Sequence, residues 1–450
     1  MTDFVDAIDP PSIDFLFPAA LAPLSPAATR RAVTAASVGN ALEFYDFVTF
    51  AFFAIQIGRT FFPGGSAFLS LMGALATFGA GFITRPIGAF VLGGYADRVG
   101  RKPAMLFSMT LMGLAIAVLA LTPSYATIGI AAPIIAIGAR LAQGFALGGE
   151  VGSATSYMME AATPEKRGFM ISWQAATQNI AGSVGALVGI GLATFLLPAQ
   201  IDDFGWRIAL LLGVVIVPFG LMVRRSLPET LHHHDPVDRD PAAYRGYVKV
   251  IALGFLIIAQ GTITSYIFKY MATYGQNELH LSTAVSMIAQ FGNEFAGLVA
   301  VLIGGYWCDR IGRRPIMIWP QLLFALTIIP CFLWLTSAGT GTSFLLSNIL
   351  LSVLSNAQYA AAYAAILESI PRRLRARVFA LVYSVPVAVF GGTTQLIITE
   401  LLHVTGSSMS IAWYLFAISL IGCGAMLAMP ETAPIKRRAA ASTGLTPSIT

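Results

Sequence analysis

The sequence predicts an all-α membrane protein in which twelve transmembrane helices form two related six-helix bundles. Three observations predict this fold: an apolar composition, apolar runs of bilayer-spanning length, and a polar loop motif that occurs twice. Of the 450 residues, 56% are hydrophobic and 11% are charged, whereas a soluble domain averages about 45–50% apolar and about 25% charged residues. The composition therefore excludes an ordinary water-soluble fold.

Polar, glycine and proline breaks divide the chain into twelve predicted helices, each near the roughly 20 apolar residues that cross a bilayer core. In chain order they cover 33–58, 67–94, 103–122, 127–160, 168–197, 206–223, 247–274, 281–307, 315–336, 342–369, 375–403 and 409–429. Basic residues orient these helices, because short cytoplasmic loops carry an excess of Lys and Arg. With both termini cytoplasmic, Arg59, Arg207 and Lys269 fall at or near outer helix ends, while Arg85 and Arg140 fall within spans. The rest of the 27 Lys and Arg residues then lie on the cytoplasmic side of a cell (inner) membrane.

A repeated loop divides the chain into two halves. The segment GGYADRVGRKP, from Gly93 to Pro103, recurs as GYWCDRIGRRP from Gly305 to Pro315. Two shorter motifs recur in the same order, one containing Glu160 and Glu368 and the other Pro-Glu-Thr at 228–230 and 430–432. The predicted organisation is a disordered cytoplasmic tail at 1–32, an N-terminal bundle at 33–223, a cytoplasmic linker at 224–246, a C-terminal bundle at 247–432 and a cytoplasmic tail at 433–450. Parallel repeats of this kind place a substrate site between the halves, near the midplane.

The duplicated loop resembles the signature of the major facilitator superfamily, and the resemblance implies that superfamily's fold and a cytoplasmic latch. The latch residues are Gly93, Asp97, Arg98 and Arg101 in the first copy and Gly305, Asp309, Arg310 and Arg313 in the second. The glycines allow close helix approach, and the aspartates can pair with the basic residues or accept hydrogen bonds at a helix end. Simple anchoring by positive charge would explain the basic residues but not the repeated Gly and Asp.

Four further segments resemble metabolite:proton symporters, over about residues 33–432. They are GNALEFYDF from Gly39, RPIG from Arg85, RLAQGFALGGE from Arg140 and SWQ from Ser172. Within that family the chain looks most like carriers of citrate and tricarballylate, while other members carry 2-oxoglutarate, shikimate, or proline and betaine. The resemblance implies proton-driven import of a small organic acid, a di- or tricarboxylate such as citrate, by alternating access. The expected partners are this acid, protons and the bilayer, without a cofactor or nucleic acid, and with the monomer as the functional unit.

Carboxyl groups within spans are candidates for proton coupling, because a charge at the bilayer centre costs about 2.5–3.5 kcal/mol on insertion scales. Glu43 and Asp46 lie one turn apart on the first helix and share a face. A bound anion that competes for a nearby arginine would increase the proton affinity of such a carboxyl, as a symporter requires. Glu150, on the fourth helix, is a third candidate or part of a structural ion pair, and Glu294, on the eighth, is a further group that could titrate.

Arg85 is the leading candidate for substrate contact, because it lies deep in its helix and its planar guanidinium binds carboxylates bidentately. Arg140 and Gln143 match the family's fourth-helix pattern, whose arginine is linked either to proton movement or to holding the site. The other candidate substrate residues are polar side chains on four helices: Asn40, Tyr45, Gln174, Gln178, Tyr266, Lys269, Asn356 and Tyr359. Polar residues in spans also join helices to each other, and Lys269 is either an anion contact near the outer mouth or an anchor. A break in the eleventh helix is predicted between Tyr383 and Thr393, where Pro386 and two glycines suit a bending gate.

Other functional classes are disfavoured. A proton-antiport exporter of the same fold typically carries a Gly-Pro motif in its fifth helix, whereas residues 168–197 contain no proline. No nucleophile–base constellation suggests an enzyme, no phosphate-binding loop suggests ATP-driven pumping, and a channel would need a selectivity filter. His232, His233 and His234 lack spaced partner ligands, so no metal site is predicted. Sodium instead of protons stays open as the coupling ion.

Overall fold

The computed structural model describes residues 40–41, 44–99, 101–148, 155, 158–159, 162–225 and 246–436. Within these ranges the chain forms helices and no β-strand, and the longer helical segments group into twelve helices, α1–α12. In the first half, α1 comprises 44–52 and Ala54–Phe61, α2 Ala67–Ile83 and Arg85–Val99, α3 Arg101–Leu121, α4 Ala131–Leu147, α5 Arg167–Phe195 and α6 Trp206–Arg225. In the second half, α7 is Val248–Asn277, α8 Thr283–Ile311, α9 Arg313–Ala338, α10 Gly341–Ala357 and Tyr359–Glu368, α11 Arg372–Pro386 and Gly392–Thr405, and α12 Met409–Ala428. Number and order agree with the prediction.

Nine helices in the described ranges are long and apolar enough to span a membrane, and α4 is a shorter apolar helix. The predicted start of the fourth helix at 127 is wrong. Residues Tyr125–Ile128 form a separate short helix that ends at Gly129, whose φ of 59° is a left-handed conformation suited to glycine. In the rest of the predicted span, Gly148 lies in a turn, and residues 155 and 158–159, the other described positions before 160, are helical.

The predicted irregularity in the eleventh helix is confirmed. Between Pro386 and Gly392, residues Val387–Gly391 form a π-helical turn that joins the two segments of α11. Proline lacks the backbone N–H that a regular helix needs, and π turns often mark functional positions. This turn faces α2 and α7: a Cβ placed on Gly391 would meet the rings of Phe82 and Tyr266.

The two halves of the chain meet along three helix pairs in the described ranges. α5 packs against α8 and α10, and α2 packs against α11. Near the middle of the α2–α11 pair, a Cβ on Gly79 would lie 2.7 Å from the Gly392 carbonyl oxygen, so glycine is what allows these backbones to touch. At the predicted outer end, the ring of Phe68 stacks on His403 with centroids 4.0 Å apart. The predicted tails and the linker lie almost wholly outside the described residues, so the domain boundaries stay a prediction.

Candidate substrate and proton site

A fully buried ion pair joins α1 to α4. Arg140 Nη1 donates to Asp46 Oδ2 at 2.9 Å, and both side chains are 0% exposed. The same Nη1 donates to Gln143 Oε1 at 2.6 Å. Asp46 Oδ1 and Arg140 Nε and Nη2 have no hydrogen-bond partner among the described residues. Among the described residues, the pair is therefore hydrogen-bonded on one side and without partners on the other. Glu43 and Glu150, the other proton-coupling candidates, lie outside the described residues.

Aromatic rings surround this pair and connect it to Arg85. The Arg140 guanidinium carbon lies 3.8 Å from the Phe50 ring centroid and 5.2 Å from that of Phe47. The Arg85 guanidinium carbon lies 4.6 Å from the Phe47 centroid and 4.2 Å from that of Phe82. Phe47 thus contacts both cations, each of which gains from the ring's negative face. We call Asp46, Arg85, Arg140, Phe47, Phe50 and Phe82 the arginine cage.

The phenylalanines of the arginine cage were not predicted from the sequence. The signal was present, because Phe47 directly follows Asp46 in a recognised motif. Phenylalanine is so common in apolar spans, however, that its position in a sequence does not separate a cation-binding ring from packing.

The second half of the chain contributes tyrosines to the region facing the cage. The Tyr266 ring packs edge-on against Phe82 and Phe78, with centroids 5.4 Å and 5.9 Å apart. Its hydroxyl and that of Tyr383 interact electrostatically with Arg85. Within the described part of the chain, Arg85 forms no ion pair with a carboxylate. Tyr383, which the sequence placed only in the helix break, is therefore a further candidate for the site that the prediction did not include.

Gln174 and Gln178 on α5 reach the same region, close to Tyr383. Gln174 is buried and approaches the Tyr383 hydroxyl, but its side-chain oxygen and nitrogen make no hydrogen bond of good geometry in the described ranges. Gln178 is half-buried. Both amides can therefore donate to an incoming carboxylate or hydroxyl, as the sequence predicts for them.

Four other predicted substrate residues are committed to hydrogen bonds between helices. Asn40 donates to the Gln174 carbonyl at 3.0 Å and to Thr177 Oγ1 at 2.6 Å. The Tyr45 hydroxyl donates to the Ala209 carbonyl at 2.8 Å, and the Tyr359 hydroxyl donates to the Gly261 carbonyl at 2.7 Å. Asn356 accepts from Asn179 at 3.1 Å and donates to Ser352. These contacts are the alternative that sequence analysis left open, namely hydrogen bonding between helices.

A second buried ion pair lies in the C-terminal half. Lys269 Nζ lies 3.9 Å from Glu294 Oε1, and Lys269 is inside α7 and buried. Lys269 lies about two helical turns before the end of α7 at Asn277, and its place near the outer mouth stays a prediction. The pair brings together the two charged residues that the family resemblance did not place.

The second copy of the loop motif forms a network between the halves. Asp309 Oδ1 and Oδ2 accept from the backbone N–H groups of Gly168 and Phe169 at 2.8 Å and 2.9 Å, at the start of α5. Arg313 donates to Asp309 at 2.6 Å and to both carboxylate oxygens of Glu368 at 3.0 Å and 3.2 Å. Asp309 thus makes both kinds of contact considered for a latch aspartate.

Glu431 completes this network. Its two oxygens accept from the backbone N–H groups of Arg313 and Arg314 at 2.9 Å and 3.0 Å. We call Asp309, Arg313, Glu368 and Glu431 the latch network. In the sequence, Glu368 and Glu431 stand out only as repeated residues, because their partners in this network are distant in sequence.

The remaining latch residues are less informative. Gly305 lies against Ser172 of α5, where a Cβ would have no room, and Arg310 is exposed with its guanidinium over the Tyr306 ring. In the first copy, α2 reaches Val99 and α3 starts at Arg101. The described part does not include the packing of Gly93 or the side chains of Asp97, Arg98 and Arg101. It also does not include the three histidines at 232–234. No cluster of metal-binding side chains occurs among the residues that are described.

Comparison with known proteins identifies the family. The profile described as "Sugar (and other) transporter" matches residues 32–245, and that described as "Major Facilitator Superfamily" matches residues 250–450. The citrate-proton symporter of Salmonella typhi is 39% identical over 407 residues, covering 89% of this chain and 94% of that protein. The citrate-proton symporter of Klebsiella pneumoniae is 37% identical over 397 residues, covering 87% and 89%. The solved structure of a proton:xylose symporter, at 16% identity, has a TM-score of 0.75 and covers 90% of this chain and 97% of that chain.

These findings agree with the duplicated loop motif and the twelve-helix architecture. The two relatives are similar over most of the chain, and the xylose symporter shares its fold. All three are transporters, not enzymes. The chain therefore belongs to the major facilitator superfamily and, within it, to the metabolite:proton symporter family.

Proposed function

We propose that the protein is a secondary active transporter that imports a small organic acid, a di- or tricarboxylate such as citrate, together with protons. It works by alternating access as a monomer in the inner membrane, with both termini in the cytoplasm and no cofactor. One observation carries the proposal: the arginine cage holds two buried guanidinium groups and one carboxyl, and Asp46 Oδ1, Arg140 Nε and Nη2 and Arg85 Nε have no hydrogen-bond partner among the described residues. The citrate-proton symporters at 39% and 37% identity support the choice of substrate and ion.

Arg85 is the primary contact for the substrate. Its guanidinium packs against the rings of Phe47 and Phe82 and has no carboxylate partner in the described residues. It can therefore bind a substrate carboxylate bidentately. Gln174, Gln178 and the Tyr266 hydroxyl supply further hydrogen-bond donors. Buried donors without partners favour a ligand that satisfies them, because an unmade buried hydrogen bond costs about 1–3 kcal/mol.

Asp46 couples this binding to a proton. In the empty site the two arginines and one ionised aspartate leave a single positive charge, which suits one carboxylate. When a second carboxylate approaches Arg140, it competes with Asp46 for the guanidinium, and Asp46 then becomes neutral by taking up a proton. Proton uptake leaves two positive charges for two carboxylates. An ionised Asp46 beside a bound dianion would leave an uncompensated charge in an apolar cage, which is strongly unfavourable.

Movement of the two halves would then carry substrate and proton together. The α5–α8 and α2–α11 contacts are the surfaces on which the halves move, and the π-helical turn of α11 lies beside the cage tyrosines. Release of the proton from Asp46 restores its bond to Arg140 and expels the acid. Uptake without a proton is disfavoured because Asp46 would hold Arg140.

Uptake into proteoliposomes tests this function. Radiolabelled citrate, 2-oxoglutarate, shikimate, proline and betaine are offered with an inward proton gradient, with a sodium gradient and with neither. We expect a di- or tricarboxylate to accumulate several-fold with the proton gradient alone, and a protonophore to abolish this. Equal uptake with and without the gradient, or accumulation driven only by sodium, would contradict proton symport.

A further inference from the structure

The Lys269–Glu294 pair in the C-terminal half lies outside the arginine cage and has no part in the mechanism above. It joins α7 to α8, with side-chain exposures of 10% for Lys269 and 3% for Glu294. Lys269 Nζ also hydrogen bonds to Ser265 Oγ at 3.2 Å, and Gln290 donates to Glu294 Oε1 at 3.2 Å. The pair has the elements of a binding site, a buried cation with a buried counter-ion.

The contact between these two charges is loose. A separation of 3.9 Å is beyond hydrogen-bonding distance, whereas Asp46 and Arg140 are 2.9 Å apart. An ammonium has three donors, and among the described residues Lys269 has one hydrogen-bond partner, Ser265. Its 10% exposure shows that the side chain is not sealed off. Lys269 can therefore accept another anion without first breaking a strong bond.

Lys269 also lies on the same aromatic surface as Arg85, approached from the other half of the chain. Lys269 Nζ lies 5.9 Å from the centroid of the Tyr266 ring, and Tyr266 packs edge-on against Phe82. The Arg85 guanidinium lies over that same Phe82 ring. One cation from each half thus borders the Tyr266–Phe82 pair, as expected of a site that closes between the halves.

Glu294 faces the N-terminal half directly. A Cβ on Gly182 of α5 would overlap the Glu294 carboxyl group, so glycine at 182 is what gives this carboxyl its space. The groups facing Glu294 are Lys269 from α7, Gly182 from α5 and Gln290 from its own helix, and Lys269 is the charged one among those described. Glu294 therefore sits where relative movement of the halves changes its surroundings.

We propose that Lys269 binds a third carboxylate of the substrate and that Glu294 is its counter-ion in the empty site. This inference rests on the proposed function and narrows the substrate class to tricarboxylates. The arginine cage, with Asp46 protonated, balances two carboxylates and leaves a third unpaired. When that carboxylate binds Lys269, it replaces Glu294, whose carboxylate takes a proton from the aqueous side open to the site. In each ion pair, a substrate carboxylate thus takes the place of the internal carboxylate of Asp46 or Glu294. That internal carboxylate becomes neutral by binding one proton.

A matched pair of acids tests this proposal: tricarballylate has three carboxylates, and glutarate is the same chain without the central one. Binding to the full chain in nanodiscs is measured by ligand-dependent thermal stabilisation. We expect the wild-type protein to bind tricarballylate about tenfold or more tightly than glutarate, since a hydrogen bond to a charged group contributes about that factor. In Lys269→Met the two affinities should become about equal. The control is Lys249→Met, at the exposed start of α7, which should keep the wild-type ratio.

The Glu294→Gln variant should change binding in the opposite direction. The amide cannot compete as an anion for Lys269, so tricarballylate should bind at least as tightly as in the wild type. Its affinity should also increase less when the pH is lowered. Glu400→Gln, at an exposed position of α11, is the control and should behave as the wild type. Weaker binding in Glu294→Gln at every pH would contradict the counter-ion role.

The double variant Lys269→Met/Glu294→Gln covers the possibility that Lys269→Met alone does not fold, since the single change leaves a buried charge without a partner. The double variant should fold and bind the two acids about equally. A tricarballylate preference that persists in the double variant, or is missing in the wild type, overturns the proposal while leaving organic-acid symport intact. If the wild type binds and transports neither acid nor citrate, the proposed function fails as well.

Discussion

The latch network and the arginine cage are both buried ion networks, but they differ in how completely their bonds are made. In the latch network, both oxygens of Asp309, Glu368 and Glu431 accept hydrogen bonds from backbone or side-chain donors. In the arginine cage, Asp46 uses one oxygen, and each arginine keeps at least one buried nitrogen without a partner among the described residues.

This difference separates two functions of charge inside a membrane protein. A saturated network stabilises one arrangement of the helices, because every group would lose a partner if the helices moved apart. An unsaturated network has bonds left for a ligand or a proton, and it gains from binding them. By this criterion we propose that substrate and proton bind in the cage, and that the latch network holds the predicted cytoplasmic ends of the two halves together.

The largest effect is expected from removing the Arg85 guanidinium, the proposed carboxylate contact of the cage. Arg85→Ala should lose organic-acid uptake while the protein still reaches the membrane, because the leading carboxylate contact is gone. Arg85→Lys should recover little, since an ammonium cannot bind a carboxylate bidentately. Initial uptake rates and membrane abundance are measured together. Arg59→Ala, in an exposed ion pair with Asp202, is the control and should transport normally; normal uptake by Arg85→Ala would remove Arg85 from the site.

An intermediate effect, of a different kind, is expected from the latch network. Asp309→Asn keeps the size of the side chain. It removes the negative charge that pairs with Arg313 and one of the two oxygens that accept hydrogen bonds from the start of α5. It should lower the stability of the protein by about 1–3 kcal/mol and slow turnover several-fold, with substrate affinity nearly unchanged. Asp97→Asn, in the first copy of the motif, should act similarly.

Thermal unfolding, counterflow rates and equilibrium binding separate these effects, and Lys166→Ala, at an exposed position just before α5, provides the control. A large loss of affinity in Asp309→Asn would show that the latch network is part of the substrate site.

The smallest effect is expected at Tyr45, whose hydroxyl is committed to the Ala209 carbonyl. Tyr45→Phe should cost about 0.5–1.5 kcal/mol of stability through the lost hydrogen bond, without changing uptake kinetics. Thermal unfolding and the apparent KM for uptake are the measurements. A tenfold rise in KM would place Tyr45 in the substrate site after all, as the sequence suggested.

The fold could be predicted almost completely from the sequence, because hydropathy, loop charge and the repeated motif each constrain it independently. Helix ends were harder, as at Gly129, where a local conformation that hydropathy does not report ends a helix. The candidate site could be predicted only as a set of polar and charged residues. Which of these residues hydrogen bond to each other depends on how each helix is rotated about its axis. For Asn40 and Tyr359, this rotation places the side chain in hydrogen bonds with a neighbouring helix.

The sequence does not distinguish polar residues that hydrogen bond one helix to another from polar residues that remain available to bind a ligand. Arg85 and Arg140 look alike in a hydropathy profile, yet one is paired with Asp46 and the other lies over two rings. Similarly, Lys269 and Glu294 are far apart in sequence, and only the packing of α7 on α8 brings them together. Contacts of this kind depend on tertiary geometry, which local patterns do not encode.

Asp46→Asn tests the central claim most directly, that the unsaturated ion pair of the cage couples substrate to protons. Substrate counterflow and pH-driven accumulation are measured in the same proteoliposomes. Asparagine cannot exchange a proton, so the variant should still exchange labelled for unlabelled substrate but should no longer concentrate it when the outside is acidified. If the variant accumulates substrate several-fold under an inward proton gradient, as the wild type is expected to do, Asp46 is not the coupling residue and the account of the cage is wrong.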